Sequence, residues 1–444
     1  MSFLSFRSCE EWARDRTPKL SSPKTLVFSI SRGWYIRLFL RSGVLRLLLE
    51  ETDYRIVILT PAYQDEKLMS EFQYEGRVIF ERQYDVGRPG VGDRVYLKGV
   101  YALHKRRIFQ LAWRRIEPLL TGSRRYDELF EKYEPDMVIT ASAGLHSLNE
   151  LPIIREARQL NIPTLCVVWS WDNLSMKGPL PTRPQKLAVW NNMMFDEALS
   201  MHYYSPEDVF VTGVPQFDHY LRPDTYETRE AFCQKIGFDP DLPIITLATA
   251  PMESVADHKF LLRILVDGIE KGTYGAGAQL LCRLHPLDTP EYYSEFLDHP
   301  KIKMDRPGVF HEILGWLPDE EEDKHLANTL RHTDVLVNVA STVTIEASIV
   351  DTPVISVAFS TSEPERFAQM VLKNHYGNHF KYVIESGASK IVWSEEELNA
   401  AIHQYLKEPQ TDAEQRRKLA ESMIYKLDGA SSRRVKDLIK SLVE

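Results

Sequence analysis

Short, uninterrupted runs of β-branched apolar residues recur along this chain and restrict its fold more than any other feature. Seven such runs lie before residue 214, among them TLVFSI (25–30), RIVILT (55–60) and TLCVVW (164–169). Several are followed by longer segments in which apolar residues are three and four positions apart, as in 149–160, where Asn149 is placed to cap a helix. Apolar runs without alternating polar residues are typical of parallel strands covered on both faces by helices. We therefore predict a parallel α/β sheet for the first half.

The same pattern then starts again after a polar segment. PIITLATA (243–250) and QLLCRLHP (279–286) have the composition of buried strands, and 334–359 has that of a strand–helix–strand unit. The intervening segment 219–230 contains proline and has no strand pattern. We predict an α/β protein of two Rossmann-like domains, 1–218 and 219–444. Because ligands of open parallel sheets bind beyond the carboxyl ends of the strands, we expect a cleft at those ends.

Composition excludes several classes of protein. No run approaches the roughly 18 apolar residues that a membrane-spanning helix needs, and the first 16 residues carry charges where a signal peptide is apolar. The four cysteines are scattered without a CxxC pair, which indicates reduced thiols and no zinc site. The expected location is the cytoplasm.

Charge is distributed unevenly. Residues 1–125 carry 23 Lys and Arg against 14 Asp and Glu, although the whole chain has a net charge of −9. The stretch 32–49 sets four arginines among Leu, Ile and Phe, and a basic run follows between Arg88 and Arg125. Two interpretations stay open: peripheral contact with an anionic surface at the inner face of the membrane, or a core helix with solvated arginines.

Two strand ends in the second half suggest anion binding. CRLHP (282–286) closes a strand with Pro286, so Arg283 and His285 are expected at the ligand edge of the sheet, where both side chains can donate to a phosphate. A later strand runs into Ser341 and Thr342 at a helix start, which offers hydroxyl and N–H donors, or a simple cap. Glu346, one turn further, is a candidate ligand for ribose hydroxyls.

These segments together resemble a known family. VFVTGVPQFD (209–218) ends in T-G-x-P-x-x-D, and DGASSRRV (428–435) follows near the end of the chain. With the His-Pro strand end and the Ser-Thr helix start, they resemble bacterial surface-polysaccharide transferases of the GT-B fold, related to CDP-glycerol glycerophosphotransferases and UDP-GlcNAc 2-epimerases. The resemblance implies donor binding in 219–444, with His285 near the nucleotide phosphate, and acceptor binding in 1–218.

Candidates in the first half rest on position alone. Ser31, Arg32 and Gly33 follow the first strand and are predicted acceptor contacts. The Trp-Ser-Trp-Asp-Asn sequence after another strand places Trp171 for sugar recognition and Asp172 as a general base on an acceptor hydroxyl. His146 is the alternative base, and each residue could instead cap its loop.

The expected function is transfer of a sugar from a nucleotide-activated donor to a hydroxyl acceptor, a glycan or lipid-linked saccharide, in surface polysaccharide synthesis. A CDP-glycerol-type glycerophosphotransferase and a hydrolysing UDP-sugar 2-epimerase are the alternatives. The epimerases have a Gly-Gly pair where this chain has Ala340, Ser341 and Thr342. The chain has no P-loop, HExxH or DxD-like pair, so we expect neither metal nor cofactor, and no motif indicates nucleic acid.

Overall fold

The computed structural model describes residues 23–74, 76–86, 98–101, 107–120, 124–144, 146–250, 258–374 and 380–444. Within these ranges the chain forms two compact units. The first unit comprises the described residues up to Gln216, together with His311–Gly315 and Ala430–Glu444. The second unit comprises Phe217–Phe310 and Trp316–Gly429.

The first unit contains a seven-stranded sheet in the order β3-β2-β1-β4-β5-β6-β7, with every neighbouring pair parallel. Its strands are β1 Thr25–Ser29, β2 Arg55–Thr60, β3 Val78–Arg82, β4 Met137–Thr140, β5 Thr164–Val167, β6 Lys186–Val189 and β7 Val209–Val211. Its α-helices are Gly33–Ile36, Val44–Glu51, Glu66–Glu71, Arg107–Leu120, Asp127–Tyr133, Leu151–Gln159, Asn192–Ser200 and Ser431–Val443, and Arg37–Arg41 forms a π-helical turn.

The second unit contains a six-stranded parallel sheet in the order β10-β9-β8-β13-β14-β15. Its strands are β8 Ile244–Ala248, β9 Gln279–Arg283, β10 Ile302–Asp305, β13 Val335–Asn338, β14 Val354–Val357 and β15 Ser389–Val392, and a separate pair is formed by β11 Val309–His311 and β12 Gly315–Leu317. Its α-helices are Arg229–Ile236, Lys259–Glu270, Glu320–His332, Val343–Ile349, Pro364–Asn374, Lys381–Ser386, Glu395–Lys407 and Ala413–Ile424.

The predicted fold class, α/β with two Rossmann-like halves, is confirmed by these two sheets. In each sheet the chain starts near the middle, builds outward to one edge and then returns to build the other. This places a topological switch point between β1 and β4 in the first unit and between β8 and β13 in the second. Ligands of such sheets bind beyond the carboxyl ends of the strands at this point. The predicted boundary after residue 218 lies two residues from Gln216, whereas the helix Ser431–Val443 belongs to the first unit.

The stretch 32–49 packs into the first unit. Its apolar side chains, including Phe39, Leu45 and Leu48, are almost fully buried. One of its arginines pairs with a carboxylate, Arg41 Nε lying 2.6 Å from Glu71 Oε1. The structure thus favours the core-helix interpretation for this stretch over membrane contact. Of the basic run between Arg88 and Arg125, residues 88–97, 102–106 and 121–123 lie outside the described residues. No helix in the described part of the chain is long and apolar enough to cross a membrane.

Candidate functional site

Two candidate segments flank the switch point of the first sheet. Ser31 and Arg32 follow β1, and His146 follows β4, with Ser29 and Thr140 in register at the ends of these strands. The two segments touch, because Arg32 Nη2 donates to the backbone carbonyl of His146 over 2.7 Å. The structure therefore brings together the Ser31–Gly33 loop and His146, which are more than 110 residues apart in sequence.

A buried polar cluster lies beneath this loop. The Ser31 hydroxyl donates to Glu150 Oε1 over 2.5 Å, and Gln83 Nε2 donates to the Ser29 hydroxyl over 2.8 Å. Glu150 is fully buried, and this burial raises the pKa of its carboxyl to about 7, although hydrogen bonds from Ser29 and Ser31 oppose the rise. The carboxyl group that accepts the hydrogen bond from Ser31 thus changes protonation near neutral pH.

Gly33 already has a partner for its backbone N–H. That N–H donates to the carbonyl oxygen of Leu314 over 3.0 Å, within the part of the first unit formed by His311–Gly315. A phosphate or acceptor oxygen at Gly33 would have to replace this bond. Of the three predicted loop contacts, Arg32 is the exposed one and Ser31 is buried.

His146 is a neutral imidazole at physiological pH. Its pKa is lowered to about 4, chiefly by burial and also by the Lys177 charge, while the Asp172 charge opposes both effects. Its Nε2 lies 3.1 Å from the Ser142 hydroxyl, and its Nδ1 has no hydrogen-bond partner among the described residues. Gly144 provides room for the ring, since a Cβ there would lie 2.8 Å from Nδ1.

Asp172 is held by two neighbours. Its Oδ1 accepts from the Ser170 hydroxyl over 2.7 Å, and its Oδ2 lies 3.1 Å from Lys177 Nζ. Trp171 beside it is only 2% exposed, so its indole packs inside the unit and offers no open face to a sugar. The ring of Trp169 instead contacts Trp34, with centroids 5.7 Å apart.

In the second unit, the two predicted phosphate ligands at the end of β9, Arg283 and His285, lie in different surroundings. Arg283 is 7% exposed, and its guanidinium pairs with the carboxylates of Asp305 and Glu322. His325 Nε2 lies 3.1 Å from the same Asp305. The predicted role of Arg283 as a phosphate ligand would require it to leave two carboxylates, so its place in the structure is that of a buried ion pair.

His285 sits in a hydrogen-bonded turn. Its backbone N–H donates to Thr249 Oγ1 over 2.7 Å, and its Nδ1 accepts from the backbone N–H of Leu287 over 3.2 Å. Burial lowers its pKa and the Asp288 charge opposes this. With Nδ1 accepting, the proton of the neutral ring is on Nε2, so the half-buried ring can donate a hydrogen bond through that atom.

The chain makes a sharp turn between β13 and the helix Val343–Ile349. Ala340 adopts a left-handed conformation with φ of 44°, and the Ser341 hydroxyl accepts from the backbone N–H of Val343 over 3.4 Å. Glu346 is 7% exposed, and its Oε1 accepts from the Tyr220 hydroxyl over 3.0 Å. Ser341 and Thr342 are partly exposed at the switch point, whereas Glu346 is fixed within the unit.

Among the described residues, no cluster of three or more His, Cys, Asp or Glu is arranged to hold a metal ion. Sequence reasoning missed five residues that shape the two sites: Ser142, Glu150, Lys177, Thr249 and Asp288. Asp288 lies three residues after His285, so its short distance from His285 in sequence was a usable signal. The others are polar residues in loops and turns, and their roles depend on contacts made across the fold.

Comparisons with known proteins agree with this architecture. The family model described as "CDP-Glycerol:Poly(glycerophosphate) glycerophosphotransferase" matches residues 185–441, more than half of the chain. A curated relative from Legionella pneumophila, UDP-N,N'-diacetylbacillosamine 2-epimerase (hydrolyzing), is 27% identical over 165 residues, which are 36% of this chain and 39% of that protein. The match therefore spans well under half of that relative's length.

Two solved structures show the same fold. UDP-GlcNAc 2-epimerase from Neisseria meningitidis, bound to UDP-GlcNAc, has a TM-score of 0.57 at 14% identity, covering 94% of this chain and 100% of its own. A variant of the wall teichoic acid polymerase TagF soaked with CDPG has a TM-score of 0.53 at 13% identity, covering 98% and 92%. The predicted resemblance to glycerophosphotransferases and 2-epimerases of the GT-B fold is confirmed.

Proposed function

Because this chain belongs to the CDP-glycerol:poly(glycerophosphate) glycerophosphotransferase family, we propose that it transfers glycerol phosphate from CDP-glycerol to a hydroxyl group of a growing surface polymer. The observation that carries the proposal is the extent of the family match, residues 185–441, which includes every candidate donor residue from Arg283 to Glu346. This match favours phosphate transfer over the sugar transfer expected from the sequence.

The chemistry of such a transfer is a substitution at phosphorus. The acceptor oxygen forms a bond to the phosphorus that carries glycerol, and the bond from this phosphorus to the bridging oxygen breaks. CMP leaves with the bonding electrons, and the acceptor proton passes to a base. The protein has to stabilise negative charge on the phosphate oxygens and on CMP, which positioned donors do without forming a covalent intermediate.

We assign donor binding to the second unit. His285 donates through Nε2 to a phosphate oxygen, and the hydroxyl groups of Ser341 and Thr342 supply further donors at the neighbouring strand end. Glu346, fixed by the Tyr220 hydroxyl, contacts ribose hydroxyls. Arg283 acts indirectly, since its guanidinium is paired with Asp305 and Glu322 and holds the end of β9 in place.

We assign acceptor activation to the first unit, with His146 as the base. The lowered pKa of His146 leaves its ring unprotonated at neutral pH and therefore able to accept a proton. The Asp172 carboxylate stabilises the imidazolium that forms, because its charge raises the pKa of His146. Asp172 is the weaker candidate for the base itself, since both of its oxygen atoms are occupied by Ser170 and Lys177. Arg32, which is exposed and bonded to the His146 carbonyl, contacts a phosphate of the acceptor.

A hydrolysing 2-epimerase is the second candidate, favoured by the 27% identity to the Legionella pneumophila enzyme. Against it stands the turn after β13, where this chain has Ala340, Ser341 and Thr342 in place of two glycines. The two functions differ in the nucleotide of their substrate, cytidine for one and uridine for the other.

A thermal-shift comparison of CDP, CMP, UDP, GDP and dTDP tests the proposal on the wild type and on a His285→Ala variant. His403→Ala, which changes an exposed histidine, is the matched control. A nucleotide at 100 times its dissociation constant stabilises a protein by about 2.7 kcal/mol, a shift of a few degrees for a chain of this size. We expect CDP and CMP to stabilise the wild type and the control but not His285→Ala. Stabilisation by UDP alone favours the epimerase, and no response to any nucleotide contradicts both functions.

A further inference from the structure

A closed network of hydrogen bonds surrounds the backbone of His285. Thr249 directly follows β8, and its hydroxyl accepts from the His285 N–H over 2.7 Å while donating to Asp288 Oδ2 over 2.6 Å. The Asp288 N–H donates back to the His285 carbonyl over 2.8 Å. The Tyr293 hydroxyl also donates to Asp288 Oδ2, over 3.1 Å. The network joins the ends of β8 and β9 at the switch point.

We propose that Thr249 and Asp288 are positioning residues that present His285 to the donor phosphate as a hydrogen-bond donor through Nε2. This inference rests on the proposed function of His285, and adds two residues that touch neither substrate nor the reacting atoms. Neither residue was singled out by the sequence pattern.

The first argument is geometric. The bond between the Asp288 N–H and the His285 carbonyl closes the turn 285–288, and within this turn the Leu287 N–H is directed to His285 Nδ1 over 3.2 Å. That contact excludes a proton on Nδ1 and selects the tautomer protonated at Nε2. Thr249 anchors the start of the turn, because its hydroxyl is the partner of the His285 N–H. If the turn loosened, the His285 ring would also adopt the tautomer protonated at Nδ1.

The second argument is electrostatic. Asp288 is 2% exposed, accepts both of its hydrogen bonds on Oδ2, and has no partner for Oδ1 among the described residues. It forms no ion pair in the described part of the chain, and it is the one charged group there that shifts the pKa of His285. A buried carboxylate without a counter-ion favours the protonated imidazole beside it, and its influence grows as the surroundings become less polar. As CMP departs, His285 keeps its Nε2 proton beside this charge and donates a hydrogen bond, not the proton itself, to the oxygen that gains negative charge.

The test compares Asp288→Asn, Thr249→Val and Thr249→Ser with the wild type, using kcat and KM for CDP-glycerol between pH 5 and 9. Asp334→Asn is the matched control, because Asp334 accepts from the backbone N–H of Ile244 at the amino end of the same strand β8, away from His285. We expect Asp288→Asn to lower kcat about tenfold or more with KM nearly unchanged, as for a lost transition-state contribution. Asp288→Asn should also lower the pKa of His285, because the charge that raises it is removed. Thr249→Val removes the hydroxyl and should lower kcat, whereas Thr249→Ser keeps the hydroxyl and should have the kcat of the wild type.

A readout independent of activity keeps this inference separate from the proposed function. Long-range proton–nitrogen NMR of the histidine rings, assigned by the signal missing in His285→Gln, reports the tautomer of His285. We expect the Nε2-protonated form in the wild type and mixed tautomers in Thr249→Val, whether or not CDP-glycerol is the substrate. A wild type without the Nε2 tautomer, or an Asp288→Asn variant with the kinetics of Asp334→Asn, would overturn the inference. If Asp288→Asn does not fold, the Thr249→Val and Thr249→Ser pair decides.

Discussion

Arg283 and His285 are separated by one residue, yet the structure gives them different tasks. Arg283 is buried between Asp305 and Glu322, whereas His285 lies in the turn beyond the strand. Removing one partner of a buried ion pair costs about 3–5 kcal/mol, because it leaves a buried charge uncompensated. The sequence predicted both residues as phosphate ligands, since their position at a strand end is visible in the sequence. The carboxylates that bind Arg283 come 22 and 39 residues later, and no local pattern connects them.

Glu150 gives a pH-dependent prediction at this scale. The pKa of its carboxyl is about 7 in the folded state against 4.5 for an exposed glutamate. Between these values the folded chain keeps a proton that the unfolded chain releases, so this group's stabilisation is complete below about pH 4.5 and is lost as the pH rises to about 7. The wild type therefore loses about 3 kcal/mol across this window relative to a Glu150→Gln variant, which has no carboxyl to titrate.

Denaturant unfolding of both proteins at pH 5 and pH 8 measures this difference. Glu131→Gln, a change of the same kind at an exposed position, is the control and should show no such pH dependence. If the free energy of unfolding of Glu150→Gln follows that of the wild type at both pH values, Glu150 is not a buried group that titrates near neutrality.

The positions of the strands could be predicted from the sequence, whereas the conformations of the loops could not. TLVFSI and RIVILT end within one residue of β1 and β2, because continuous apolar runs are required wherever a parallel strand is covered on both faces. The run TLCVVW extends two residues past β5, where Val168 and Trp169 already belong to the loop that leads to Asp172. The conformations of such loops depend on contacts from distant segments, such as that of Arg32 with the His146 carbonyl. Candidate residues on loops could thus be named from the sequence, but their partners could not.

The loop after β4 carries a prediction of its own. Gly144 lies against the ring of His146, and an alanine Cβ would come within 2.8 Å of two ring atoms, so the ring must leave the position in which its Nε2 lies 3.1 Å from the Ser142 hydroxyl. We expect Gly144→Ala to lower the rate of transfer roughly 10- to 100-fold with little change in melting temperature, as for a displaced catalytic group. Gly99→Ala is the control, because a Cβ at Gly99 has no neighbour within 4 Å. Unchanged activity in Gly144→Ala would argue against His146 as the base.

At the scale of the whole molecule, two parallel sheets, of seven and six strands, form two units, and six strands follow the same order in both. The sequence predicted two such sheets from the pattern that starts again after residue 218. The terminal helix Ser431–Val443 belongs to the first unit, which the order of elements along the chain did not reveal. Its place depends on contacts such as Lys436 Nζ with Glu51 Oε2 over 2.6 Å, made across 385 residues of sequence. The amphipathic pattern of a helix shows that it packs, but not against which partner.

Phosphorus NMR of the wild type with CDP-glycerol and a glycerol phosphate-primed acceptor tests the central claim most directly. Glycerophosphate transfer converts the diphosphate signals of the donor into one CMP signal and one new phosphodiester signal in equal amounts. We predict this result for the wild type and its loss in His285→Ala. Turnover of a UDP-sugar with release of UDP, and an unchanged CDP-glycerol spectrum, would contradict the account.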